Sequence, residues 1–200
     1  MRVPVDRSWS LTLLRAVPAA AVALVITFSA DHSAYLGLIA LGGFAVFTGV
    51  IVVAGAVRGA YPRAPFGVQG ALLIVGGTAA LVFNDAGLPF LPLLASILFG
   101  VTGVIELVTG IRARGVLAGA RDFIFVGGLS ILAAVAVLLV PVDLVEVITI
   151  PGKEVPPLTA SIVIVGLLGA YAAIVAVYLV IAGLSLKWAP QGSAPAVSEA

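Results

Sequence analysis

The chain has 200 residues, 62% of them hydrophobic and 10% charged, with a formal net charge of +1. Soluble domains carry about 25% charged residues, so this composition does not cover a water-facing surface, and a mean hydropathy of +1.27 points to the bilayer as solvent. Near-neutral charge excludes the clustered basic face of a nucleic-acid binder. The lack of cysteine and the single histidine exclude thiol chemistry and a multi-histidine metal site.

Six apolar runs follow one another, over residues 11–30, 35–57, 66–83, 88–111, 123–140 and 158–186. Each is long enough for a spanning helix, which needs about 20 apolar residues. None alternates with the period of a barrel strand. The first run begins with Arg2, Arg7 and Arg15, as a secretory signal would. A cleavage site needs small residues at its last and third-last positions, and Phe28 and His32 stand where the rule wants them small. The run therefore reads as a retained helix. Residues 141–157 form the longest connection, with prolines at 141, 151, 156 and 157 and an apolar stretch, 144–150, fit for a short hairpin or an interfacial segment. The last residues, 188–200, read as a disordered tail.

Charge alternates between the connections. Arg2, Arg7, Arg15, Arg58, Arg63, Arg112, Arg114, Arg121 and Lys187 fall on one side, and only Lys153 on the other. Asp31, Asp85, Asp143, Glu146 and Glu154 mark that other side. The positive-inside rule assigns the basic side, and with it both termini, to the cytoplasm. Trp9 and Trp188 would sit in the aromatic belt on that side. Arginine outnumbers lysine eight to two among abundant Ala, Val and Gly, the usage of a GC-rich bacterial gene.

Three segments align without gaps, 16–31, 70–85 and 128–143, each running from a small residue to an Asp. The following helices match as well: TGVIVVAGAVR at 48–58 against TGVIELVTGIR at 102–112, with 180–186 resembling the end of the first. The sequence thus predicts an all-α membrane protein of six transmembrane helices, one domain over 1–187, made of three repeated helical hairpins near 11–58, 66–112 and 121–187. Two-span repeats share one orientation, so a pseudo-threefold arrangement follows.

Residues 97–142, with their glycine-bearing helix, basic linker and Gly-Gly entry to the next span, are similar to the HdeD-type acid-resistance membrane proteins. The resemblance extends over about residues 11–187. It implies a small inner-membrane protein tied to acid stress and without catalytic chemistry. An Asp closes the first helix of each hairpin where the family more often has Pro; only Pro141 keeps that pattern.

Glu106 lies inside the fourth span, six residues before Arg112, about 9 Å along a helix axis. An ionisable group within a span is a functional hypothesis by default. Thr102, Gly103, Thr109 and Gly110 share its helix face. Two readings stand: a proton- or cation-binding carboxylate with Thr102 and Thr109 beside it, joined by Thr48 on a central axis, or a structural group paired with an arginine of the cytoplasmic edge. Asp31, Asp85 and Asp143, with His32, read either as an outer acidic ring or as turn chemistry. Tyr171 and Tyr178, seven apart, share a face of the last helix. Small-residue pairs at Ala45/Gly49, Ser96/Gly100 and Gly166/Ala170 read as close-packing points, within the chain or in a homo-oligomer.

No phosphate loop, nucleotide fingerprint, nucleophile elbow or zinc-protease motif occurs. A membrane enzyme needs convergent catalytic groups, and only Glu106 and the basic-side arginines are at hand. The expectation is a protein without catalysis or cofactor, working with the lipid bilayer and a second membrane chain or copy, with a small transporter or channel as the alternative.

Overall fold

A long apolar segment in lipid has no water to satisfy its peptide groups, so helix is the state that bonds them all internally. The computed structural model describes residues 8–117, 119–147 and 157–188. Its helices are α1 (Ser8–Phe28), α2 (Ala34–Val57), α3 (Arg63–Val82), α4 (Phe90–Arg112), α5 (Ala120–Leu138) and α6 (Ala160–Trp188). All six are long and apolar enough to cross a membrane. The shortest, α5 with 19 residues, still reaches about 28 Å. The outward faces are apolar too: Val17, Phe47, Val75, Leu132 and Val177 are each 60% exposed or more, as lipid-facing side chains should be. This is the architecture of a multi-pass membrane protein.

Local sequence explains where the helices stop. Ser33 caps α2 by accepting a bond from Leu36 N. Gly59 and Gly115, at φ of +73° and +76°, turn the chain in the linkers after α2 and α4. Between α5 and α6 a two-residue strand pair forms, Val145–Glu146 against Leu158–Thr159, antiparallel. The apolar stretch 144–150 reads in the sequence as a short hairpin or interfacial segment; its Val145–Glu146 pairs instead with residues beyond that stretch, and its residues 148–150 lie outside the described residues. Arg2, Arg7, Lys153, Glu154 and the tail 189–200 lie outside the described residues.

Each helix touches its sequence neighbours, and α1 also meets α6, so the six close into a ring. The tightest pairs are α2 with α3, α4 with α5 and α1 with α6. They are offset by one helix from the hairpins read in the sequence, which joined α1 to α2, α3 to α4 and α5 to α6. Glycine explains two of these pairs, α2–α3 and α4–α5. Gly42 faces Gly77 and Gly49 faces Gly70, and a Cβ on any of the four would stand 2.7–2.8 Å from the opposite carbonyl oxygen. In α4 and α5 the same geometry recurs: Gly103 against Gly127, and Gly110 against Ala120. On each of these helices the two contact positions, glycines apart from Ala120, are seven residues apart, about two turns, so each seam is one close-contact stripe. Backbones meet there with no side chain between them.

The stripe corrects one expectation. Gly128, aligned with Gly70 in the sequence, would carry a Cβ with nothing within 4 Å, and it is Gly127 that meets α4. The third segment therefore sits one residue out of the sequence alignment. Of the small-residue pairs, Ala45/Gly49 lies in the α2–α3 seam and Ser96 bonds Ala134 O across α4–α5, whereas Gly166 and Ala170 are exposed.

Candidate functional site

The ring encloses a polar layer between two aromatic layers. On the basic side, Tyr61, Phe66 and Phe123 pack with centroids 4.7–5.6 Å apart, joined by Leu11 and Val52 in one buried cluster. On the acidic side, Phe44, Phe99 and Tyr171 pack at 4.5–6.5 Å. Burial pushes the Tyr61 phenol above its ordinary value, with nearby Arg15 opposing.

Between them lies Glu106, 2% exposed. Arg15 of α1 donates from Nη2 to Glu106 Oε1 at 2.7 Å. Gln69 of α3 donates from Nε2 to Glu106 Oε2 at 3.0 Å. Both carboxylate oxygens are thus engaged, and the two charges neutralise each other, which is the usual condition for charge inside a low-dielectric interior. Arg15 is 5% exposed and sits a full two turns into α1. Arg15, counted in the sequence among the basic-side loop cations, instead lies inside α1, where it is the arginine partner that the structural reading of Glu106 called for.

A second polar chain lies beside the first. Tyr171 OH and Ser130 Oγ are 2.8 Å apart. Because Ser130 gives its proton to Val126 O, the phenol is the donor. Thr102 and Thr109, which share the face of Glu106, are buried, but each hydroxyl donates back to its own helix, to Leu98 O and Ile105 O. A cavity of about 20 Å³ opens among these groups. Every helix supplies lining: Arg15, Thr48, Gln69, Glu106, Ser130 and Tyr171 belong to α1 through α6 in order.

The outer acids are not gathered. Asp31 is exposed and organises its own turn, accepting from Ser33 N at 2.9 Å and Ser33 Oγ at 2.8 Å. Asp85 and Asp143 are exposed in separate connections, and His32 is half-buried beside Asp31. No group of three or more acids or histidines placed to hold a metal occurs among the described residues. Tyr178 donates to Asp122 Oδ1 at 3.0 Å and stacks on Phe125. Lys187 stands 5.1 Å over the Trp9 ring, tying the end of α6 to the start of α1.

Sequence reading missed Gln69 as a partner of Glu106. A signal existed: Arg15 and Gln69 stand at the same place in the first two aligned segments, immediately before residues 16 and 70. In comparisons with known proteins, no family's model matches this chain, and no curated protein or solved structure does either.

Proposed function

We propose that the chain is a non-catalytic integral membrane protein of the HdeD type, resident in the bacterial cytoplasmic membrane with both termini inside. In this reading it serves the response to acid through contacts made within the bilayer. The observation that supports it is the closure of the polar layer. Glu106 has both oxygens bonded, by Arg15 and Gln69, and aromatic layers lie above and below. A carboxylate so engaged is a structural fastening. An ion carrier needs a ligand that exchanges partners.

The test has two arms. In proteoliposomes, proton and cation flux should equal that of empty liposomes at acidic and neutral external pH. In a deletion strain, survival in acid should fall and return with the restored gene. Normal survival of the deletion strain would remove the acid-response role.

One observation favours a second reading, a small transporter or channel. All six helices contribute to a single central cavity beside an ion pair. Flux abolished by Glu106→Gln would establish it and displace the first.

A further inference from the structure

We propose that the central cavity is a binding site for one water molecule, held between α1, α2 and α3 beside the Arg15–Glu106 pair. Four buried side-chain atoms among the described residues make no hydrogen bond within the protein, Arg15 Nε, Thr48 Oγ1, Gln69 Oε1 and Tyr61 Oη, and the first three belong to residues that line this cavity. None of these residues is more than 5% exposed. Buried polar groups are almost always paired, and an orphan in an apolar interior is costly. Three on the wall of one cavity therefore call for a common partner.

The chemistry of the open positions selects that partner. Arg15 Nε is a donor, Gln69 Oε1 an acceptor, and the Thr48 hydroxyl either. A water accepts from the first, donates to the second and takes the third in whichever sense remains. Three bonds is the usual complement of an internal water. Size agrees: about 20 Å³ exceeds the roughly 10–15 Å³ that one water needs by the same measure and leaves no space for a solute with several heavy atoms.

A metal cation is disfavoured by its ligands. The nearest anionic oxygens belong to Glu106 and already accept from Arg15 and Gln69. An anion would compete with Glu106 for Arg15. A neutral ligand with both donor and acceptor capacity is the one that fits. The polar layer is then a hydrated cluster, in which the water extends the Arg15–Glu106–Gln69 set to α2. Thr48 thereby acquires a role that its counterpart Thr102 lacks, since Thr102 turns its proton onto Leu98 O.

A high-resolution structure of the full chain from a lipidic mesophase tests this directly. The expected result is a single oxygen-sized peak within hydrogen-bond distance of Thr48 Oγ1 and Gln69 Oε1, lost in Thr48→Val. Infrared spectra of the wild type in oxygen-18 water should show a shifted band from an internal water, absent in the variant. The infrared measurement on the wild type alone decides the matter if the variant fails to fold. A Thr48 hydroxyl turned onto its own helix with no peak beside it would overturn the proposal. So would density that grows heavier on soaking with rubidium, which would make the site a cation site.

Discussion

Arg15 Nη2 and Glu106 Oε1 lie 2.7 Å apart across a separation of 91 residues, joining the first helix to the fourth inside the ring. Both residues are buried away from bulk solvent, so each charge depends on the other. Glu106→Ala should leave a buried guanidinium without its counter-ion and cost about 3–5 kcal/mol. Replacing the whole set, as Arg15→Met with Glu106→Leu and Gln69→Leu, should recover most of that loss, because well-packed apolar groups need no partner and no buried donor is left behind. Unfolding by sodium dodecyl sulfate, followed by circular dichroism, measures both variants against the wild type. A combined variant as unstable as Glu106→Ala would show that the pair is not coupled.

The helix seams carry a sharper contrast. A Cβ at Gly127 would stand 2.7 Å from Gly103 O and 2.5 Å from Leu107 N, both backbone atoms that cannot swing aside. At Gly128, one residue on, it would meet nothing within 4 Å. Gly127→Ala should therefore lower stability by about 1–3 kcal/mol through overpacking. Gly128→Ala should be neutral or stabilising by up to about 1 kcal/mol, through helix propensity. Equal effects in the same unfolding assay would contradict the seam.

These two adjacent glycines also show where the sequence was readable. The six helices were legible because apolar length alone decides a span. Their pairing was not, because α2 and α6 are apolar on nearly every side and hydrophobicity marks no preferred face. The contact stripe was present as glycines seven apart (42 and 49, 70 and 77, 103 and 110), but a search at four-residue spacing passes over it. Glu106 stood out as a charge in mid-span. Its partner did not, since Arg15 follows two other arginines and looks like one more flanking cation until α1 is seen to begin at Ser8. The outer aspartates were legible as a recurrence, and Asp31 shows local turn chemistry to be enough to account for its place.

Topology has a clean test because the chain contains no cysteine. A single cysteine at Asp85 should react with a membrane-impermeant maleimide added to intact cells or spheroplasts. One at Arg114 should react only after the membrane is opened. Both positions are exposed in their connections, so burial does not limit the label. Reversed labelling would place the basic linkers outside and break the positive-inside assignment.

The alkaline limb of stability should report Tyr61. Burial raises its phenol above the ordinary value of 10.0, so the folded chain holds that proton where the unfolded chain has released it. Wherever the folded state binds more protons, stability falls as pH rises. The contribution is whole below pH 10.0 and is lost progressively above it, as pH climbs through the raised folded value. The phenol packs against Phe66 and Phe123, so Tyr61→Phe keeps the ring contacts while removing the titrating group. Melting curves of the two proteins should run parallel at neutral pH and diverge in alkali, with the wild type falling faster. Parallel curves to the highest pH tested would mean that the hydroxyl reaches solvent and that the basic-side aromatic layer does not seal the polar cluster.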